Sequence, residues 1–209
     1  MGALSACNVP ADGNVTAVLA VQGAFAEHDR MLDALGQPWF ELRDADDLEL
    51  PFARLILPGG ESTTQGKLLR ERGMLEPLRE RVLAGMPVLA TCAGLILLAQ
   101  RVEGDGSRAT TPRPDQVGPW LATLVGTGER NAYGRQLGSF HTTAPFDGLG
   151  QVPMSFIRAP YVSAVGPKSQ VLARVDGRVV AVRQGSQLAL AFHPELDGDP
   201  RIHELFLSL

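Results

Sequence analysis

A cysteine stands where a buried strand would turn into a helix. Cys92 follows an apolar run at residues 87–90, and the small residues Ala93 and Gly94 behind it allow the chain to bend sharply. This pattern predicts a nucleophile elbow with cysteine in the place of serine. Unpaired N–H groups at a helix N-terminus favour the thiolate and can hold an oxyanion once the thiolate has attacked a carbonyl. The alternative is that Cys92 is a small buried hydrophobic residue, as most free cysteines are.

A histidine and a glutamate follow a second apolar run near the end of the chain. His193 ends the stretch at residues 187–193, and Pro194 fixes the backbone between it and Glu195. A cysteine, a histidine base and a carboxylate that sets the histidine tautomer are the three groups of thiol catalysis. Taken alone, His193 fits a structural histidine at a strand end better than a catalytic one. Together with Cys92 it predicts a catalytic triad.

Two glycines and a polar run follow a third apolar segment. Gly59 and Gly60 come after the strand candidate at residues 54–57, and the polar residues 61–64 open a helix. Glycines let backbone amides approach a ligand closely. The segment lacks the Lys-Ser/Thr pair of a P-loop and the spacing of a dinucleotide-binding loop. It predicts a loop that binds an oxyanion or a carboxamide, with a plain turn and helix cap as the alternative.

The elements that must position these groups alternate along the first half of the chain. Strand candidates lie at residues 16–22, 39–42, 54–57 and 87–90, and helix candidates at residues 25–35, 64–84 (interrupted near Gly73) and 93–100. Such alternation predicts an α/β fold with three layers, in which helices cover both faces of a mostly parallel, open sheet. Ligands of such sheets bind at the carboxyl ends of the strands, so the three motifs are expected to meet at one rim.

The second half of the chain carries fewer helix signals. Residues 101–118 have the composition of a loop. Strand candidates follow at residues 155–158, 171–175, 178–183 and 187–193, and a last helix is predicted at residues 200–207. Asp176-Gly177 between two of these strands is a two-residue hairpin signal. Residues 1–14 are predicted to be a flexible leader, and residues 15–209 a single domain.

Composition excludes several classes of function. The chain has 209 residues, 44% of them hydrophobic, with 19 basic and 23 acidic side chains, which excludes an intrinsically disordered protein. No basic stripe is present, so neither nucleic acid nor an anionic membrane is an expected partner. The longest apolar stretch, residues 88–99, is shorter than the roughly 20 residues of a membrane helix. Two cysteines predict free thiols in a reducing compartment, the cytoplasm.

Six segments together resemble the class I (triad) glutamine amidotransferases. More closely, they are similar to the glutaminase subunits of pyridoxal 5′-phosphate synthase, the PdxT/SNO family. The segments are VQGAFAEH (residues 21–28), LILPGGESTT (55–64), TCAGLILLA (91–99), ERNAYGRQ (129–136), FIRAP (156–160) and AFHPEL (191–196). The cysteine and HPE elements are shared across triad amidotransferases, whereas PGGEST, ERNAYGRQ and FIRAP indicate this family. The resemblance implies a flavodoxin-like open sheet.

The resemblance also implies a role for each site residue. Cys92 is then the nucleophile, His193 the base and later the acid, and Glu195 the group that orients His193. The backbone amides of Gly60 and Ala93 form the oxyanion hole. Residues Gly60, Glu61, Ser62, Arg130, Ile157 and Arg158 bind glutamine. A guanidinium suits the carboxylate of a free amino acid, and Glu61 or backbone carbonyls suit its ammonium. Without the resemblance, both arginines fit ordinary surface ion pairs.

The implied activity is hydrolysis of L-glutamine to L-glutamate and ammonia through a cysteine thioester. No metal and no organic cofactor is expected. The ammonia would pass to a PdxS/SNZ-type synthase subunit in a large heteromeric complex, and the isolated chain is expected to have a mispositioned oxyanion hole around Gly60. One alternative is a glutaminase subunit for histidine, tryptophan or nucleotide synthesis. Another is a non-catalytic binding module on the same fold.

Overall fold

A single hydrogen-bonded sheet runs through the computed structural model, which describes residues 14–104, 119–130 and 139–209. Within these ranges the strands are β1 (Thr16–Leu19), β2 (Trp39–Leu42), β3 (Arg54–Leu57), β4 (Val88–Thr91), β5 (Ala99–Glu103), β6 (Leu124–Glu129), β7 (Ser139–Phe146), β8 (Gly150–Ile157), β9 (Tyr161–Val165), β10 (Gln170–Val175), β11 (Arg178–Gln184) and β12 (Gln187–Leu190). The helices are α1 (Phe25–Ala34), α2 (Ser62–Glu71), α3 (Leu75–Leu83), α4 (Ala93–Leu98) and α5 (Arg201–Leu207). None of these helices is both long and apolar enough to cross a membrane.

The parallel part of the sheet has the strand order β2, β1, β3, β4, β12. Strands β1, β4 and β12 are buried along their whole length, which is why their sequences are apolar runs without alternation. In register, Leu57 pairs with Ala90, and Thr91 pairs with Leu190. The carboxyl ends of β3, β4 and β12 are therefore neighbours. The loop with Gly59, the turn at Cys92 and the segment of His193 leave the sheet side by side.

Helices cover both faces of this parallel part. Thr91 faces α1, because its Oγ1 lies 3.3 Å from Nε2 of His28. Leu57 faces α4 instead, since a Cβ added at Gly94 would lie 3.0 Å from the Cβ of Leu57. Ala90 pairs with Leu57, so these two residues point to the same face of the sheet. Thr91 follows Ala90 along the strand and therefore points to the opposite face. The predicted three-layer α/β architecture with an open sheet is confirmed.

The other part of the sheet is mainly antiparallel, although β5 and β6 pair in parallel, so the sheet as a whole is mixed and has a smaller parallel share than we predict from the sequence. Strands β11, β10, β7 and β8 follow β12 in antiparallel order. Tight turns join several of them: Asp176 and Gly177, both with positive φ, connect β10 to β11. A two-residue turn can only return the chain antiparallel. The hairpin predicted at these two residues is present.

Several predicted elements differ from the structure in the same region. Residues 101–103, predicted as part of a loop, belong to β5, and the helix predicted to reach residue 100 ends at Leu98. The strand predicted at residues 155–158 is the end of the longer β8. Strands β6, β7 and β9 carry no sequence prediction, because polar residues, glycine or proline interrupt their apolar residues and the apolar signal is weak. Residues 1–13 and 105–118, which hold most of the predicted leader and loop, lie outside the described ranges.

Candidate active site

Cys92 occupies a sharp turn between β4 and α4. Its backbone has φ 49° and ψ −102°, a left-handed conformation that is rare for a residue with a side chain. The surrounding structure holds it there: the N–H of Cys92 donates to the carbonyl of Leu190, at 2.8 Å. A Cβ at Gly94 would lie 2.2 Å from the carbonyl oxygen of Leu57, so the helix can start this close to β3 only with glycine there. This is the nucleophile elbow that the sequence predicts.

His193 and Glu195 follow β12 and form a buried pair. Nδ1 of His193 lies 2.7 Å from Oε1 of Glu195, and the N–H of His193 donates to the carbonyl of Ser155, at 2.8 Å. The short 3₁₀-helix Pro194–Leu196 brings the carboxylate back onto the imidazole. Since Glu195 occupies Nδ1, the other ring nitrogen, Nε2, is left for Cys92.

The pKa values of His193 and Glu195 favour an ion pair between these two side chains. Burial acts against a charged imidazole, but hydrogen bonds with Cys92 and Glu195 outweigh burial and raise the pKa of His193 to about 10. Burial likewise acts against an ionised Glu195, yet its interactions with His28 and His193 lower the pKa of this carboxyl group. At neutral pH His193 is therefore an imidazolium between a carboxylate and the sulfur of Cys92.

The glycines after β3 make room for the imidazole and for Gln22. A Cβ added at Gly59 would lie 2.2 Å from Cε1 of His193. At Gly60 an added Cβ would lie 2.6 Å from Oε1 of Gln22, which accepts a hydrogen bond from the N–H of Glu61 at 2.8 Å. The loop thus packs against the triad and against the segment after β1.

Gly59→Ala is expected to lower catalysis by about 10²-fold, because a misplacement of roughly 1 Å in a catalytic group costs this much. The added methyl group would push the ring of His193 away from its place. Steady-state glutamine hydrolysis measures the effect. Gly73→Ala serves as a comparison away from the site: its Cβ position has open space, and because its φ is +70° the change is expected to lower stability and not kcat. Unchanged kcat in Gly59→Ala would contradict the tight contact with His193.

Glu61 already has several hydrogen-bond partners within the protein. Its carboxylate accepts four hydrogen bonds, from the N–H groups of Thr63 and Thr64, the hydroxyl of Thr64, and Nη2 of Arg130 at 2.9 Å. Burial acts against its ionisation, but the bonds from both threonines lower the pKa of Glu61. Glu61 caps α2 and holds Arg130, so its oxygens are already occupied and are poorly suited to receive a substrate ammonium.

A cavity of about 300 Å³ opens onto these groups. Its lining contains both predicted oxyanion-hole residues, the nucleophile candidate and every predicted glutamine-binding residue, which together are Gly60, Glu61, Ser62, Cys92, Ala93, Arg130, Ile157 and Arg158. Ile96 and Pro160 also line the cavity and have no predicted role. Arg158 has a positive φ of 45°, so the extended conformation of the preceding strand ends at this residue. The predicted site residues, far apart in sequence, are therefore neighbours in space. Residues 131–138, which hold most of the ERNAYGRQ segment, lie outside the described ranges.

Two buried histidines behind Glu195 escaped the sequence analysis. Nε2 of His28 lies 3.5 Å from Oε2 of Glu195, and Nδ1 of His28 lies 3.0 Å from Nε2 of His203. A signal for His28 exists in the sequence: it falls on the apolar face of α1, three residues after Phe25 and three before Met31. A histidine on the buried face of a helix needs a polar partner. For His203 the sequence offers no comparable signal.

Comparison with known proteins places this chain among amidotransferases. Residues 18–209 match the SNO glutamine amidotransferase family. A relative from Desulfitobacterium hafniense, named pyridoxal 5′-phosphate synthase subunit PdxT, is 56% identical over 191 residues, which cover 91% of this chain and 90% of the relative. A protein of the same name from Bifidobacterium longum is 53% identical over 93% of this chain and its own full length.

Solved structures agree with the fold. A crystal structure of a glutamine amidotransferase superposes with a TM-score of 0.82 at 44% identity, over 92% of this chain and 97% of that one. The PurLQS structure from Thermotoga maritima reaches a TM-score of 0.66 at 14% identity, over 93% of this chain and 97% of the matched chain. At that identity the second likeness shows a common fold alone.

Proposed function

The chain belongs to the SNO glutamine amidotransferase family, and on that premise we propose that its cavity binds L-glutamine and hydrolyses the side-chain amide to L-glutamate and ammonia. The observation that carries this proposal is the arrangement in the cavity wall. Cys92, on a strained elbow, interacts with an imidazole that Glu195 holds from behind. We infer that residues 15–209 form one glutaminase domain.

The reaction follows from this arrangement in two halves. The thiolate of Cys92 attacks the side-chain carbonyl carbon of glutamine, and the backbone N–H groups of Gly60 and Ala93 stabilise the oxyanion that forms. His193 gives its Nε2 proton to the departing nitrogen, so ammonia leaves and a thioester remains. His193 then takes a proton from water, which attacks the thioester. Glutamate leaves and the thiolate of Cys92 is restored.

Arg130 and the rim at Ile157 and Arg158 hold the amino acid end of the substrate in this proposal. The guanidinium of Arg130 already spends Nη2 on Glu61, which fixes its position and leaves its other N–H groups for the glutamine carboxylate. Because Glu61 is saturated, backbone carbonyls of the rim are the better partners for the ammonium. Ser62 and Gly60 line the cavity beside the reacting amide.

The ammonia needs an acceptor, and the names of the relatives indicate one. We propose that a PdxS/SNZ-type synthase subunit docks with this chain, in a heteromeric complex, and consumes the ammonia in the formation of pyridoxal 5′-phosphate. The chemistry derived above uses side chains and backbone N–H groups of this chain, and water. A free catalytic thiol fits a reducing compartment, so we place the protein in the cytoplasm.

An alkylating glutamine analogue tests nucleophile and substrate together. Incubated with the chain, with and without the synthase subunit, the analogue is expected to add one label, at Cys92, and excess glutamine is expected to suppress labelling. Peptide mass spectrometry locates the label, and Cys7, the other cysteine of the chain, serves as an internal control. Labelling of Cys7 as fast as Cys92, or no protection by glutamine, would overturn the proposal. Co-purification with a different synthase would still support the proposed glutaminase activity, but it would show that the ammonia serves a different pathway.

A further inference from the structure

Two buried histidines lie behind Glu195 in the protein interior. His28 on α1 and His203 on α5 are both fully buried, and the triad mechanism makes no use of either. Glu195 is also buried, with Oε1 on His193 and Oε2 without a hydrogen-bond partner other than the longer contact to His28 among the described residues. A buried carboxylate oxygen is costly when nothing donates to it. The side chain that faces this oxygen therefore decides how firmly Glu195 is held.

The positions of the two histidines determine where their protons lie. The contact of 3.0 Å between Nδ1 of His28 and Nε2 of His203 needs one proton. If His28 supplied it, the bare Nε2 of neutral His28 would face the carboxylate of Glu195, and Nδ1–H of His203 would be a buried donor without an acceptor. If His203 supplies it, Nε2 of His28 carries the proton. That N–H can then be shared between Oε2 of Glu195 and the hydroxyl of Thr91.

Both histidines stay neutral in the physiological range. Burial, followed by the charge of His28, lowers the pKa of His203 to about 3. Burial also lowers the pKa of His28, against the opposing effects of Glu195 and of Glu27 on the same helix, and His193 acts in the same direction as burial. A neutral N–H therefore faces Glu195, and the charge of the carboxylate remains available to the imidazolium of His193.

We propose that His28 is a positioning residue of the triad: held in its Nε2–H tautomer by His203, it fixes Glu195 so that Oε1 stays on His193. This inference rests on the proposed glutaminase activity and deepens it. A purely structural role is the alternative, since the two rings also pack α1 against α5, with centroids 5.2 Å apart. The two roles differ in what they do to kcat and to the protonation of His193.

His28→Leu is expected to lower kcat by about 10- to 100-fold, the loss seen when the partner behind a functional histidine is removed, with KM unchanged. His28→Gln can again present an N–H to Glu195 and is expected to recover most of kcat. His203→Leu is the matched control, because it removes a histidine of the same core without touching Glu195, and it is expected to cost less than His28→Leu. Thermal unfolding of all variants shows which of them fold.

The rate of Cys92 alkylation as a function of pH separates positioning from packing. Loosening Glu195 lowers the pKa of His193, so in His28→Leu the labelling rate in the neutral range is expected to fall and to depend more strongly on pH than in the parent. The groups facing this imidazole are Cys92 and Glu195, and neither is altered. Equal losses in His28→Leu and His28→Gln, or an unshifted pH profile in a folded His28→Leu, would overturn the inference. A parent protein that is not labelled at Cys92 would instead overturn the proposed function.

Discussion

Replacing Cys92 with alanine is expected to abolish glutamine hydrolysis, with a fall in kcat of at least about 10⁴-fold, because removal of a triad nucleophile leaves only binding and the oxyanion hole. Alanine keeps the Cβ and therefore tolerates the backbone at φ 49° as well as cysteine does. The substitution removes little more than the sulfur. The fold and the glutamine-binding cavity are expected to survive. The variant should therefore still bind glutamine, although it no longer hydrolyses it.

The assay is ammonia release in the presence of the synthase subunit, coupled to a dehydrogenase. Cys7→Ala is the matched control, since it removes the only other thiol of the chain, and it should retain the full rate. Cys92→Ser is expected to be as inactive as Cys92→Ala, because a serine hydroxyl does not ionise beside His193 as a thiol does. A Cys92→Ala variant within tenfold of the parent would exclude the thioester mechanism and would favour a non-catalytic module on this fold.

The local geometry of the site can be predicted from the sequence because it lies at the ends of short, fully buried strands. Continuous apolar runs followed by Gly59 or by Cys92 and Ala93 carry the signal of a strand that stops at a functional turn. Tertiary structure then needs only to set parallel neighbours side by side. For this reason the three motifs require no knowledge of the remaining strands, whereas the cavity lining also needs Arg130, Ile157 and Arg158 from the ends of β6 and β8.

Strands β6, β7 and β9 and the partners of Glu61, His28 and His203 could not be predicted for physical reasons. Strand β7 has the sequence SFHTTAPF, in which serine, histidine, threonine and proline leave too little alternation of apolar and polar residues to predict a strand. Glu61 has the side chain of a substrate ligand, but its bonds to the start of α2 and to Arg130 depend on a loop conformation that the sequence does not reveal. His28 and His203 are 175 residues apart and meet only because α1 and α5 cover the same face of the sheet.

Glu195→Gln is expected to lower kcat by about 10⁴-fold while KM changes little, the loss known for an amide in place of the orienting carboxylate of a triad. The amide keeps the shape of the side chain, and its oxygen can still accept from Nδ1 of His193. It removes the negative charge that, together with the bond to Cys92, raises the pKa of His193 to about 10. The pKa of His193 should therefore fall towards its ordinary value of about 6.5.

The expected fall in the pKa of His193 can be measured separately from the loss of kcat. A raised pKa means that His193 is charged throughout the neutral range in the parent and loses its proton only near pH 10. In Glu195→Gln the proton leaves at lower pH, so the imidazolium that pairs with the sulfur disappears from the neutral range. Alkylation of Cys92 by iodoacetamide is therefore expected to depend more strongly on pH across the neutral range in the variant than in the parent. A variant that keeps the parent's profile would show that another group charges the imidazole, and Glu195 would lose its role as the orienting carboxylate.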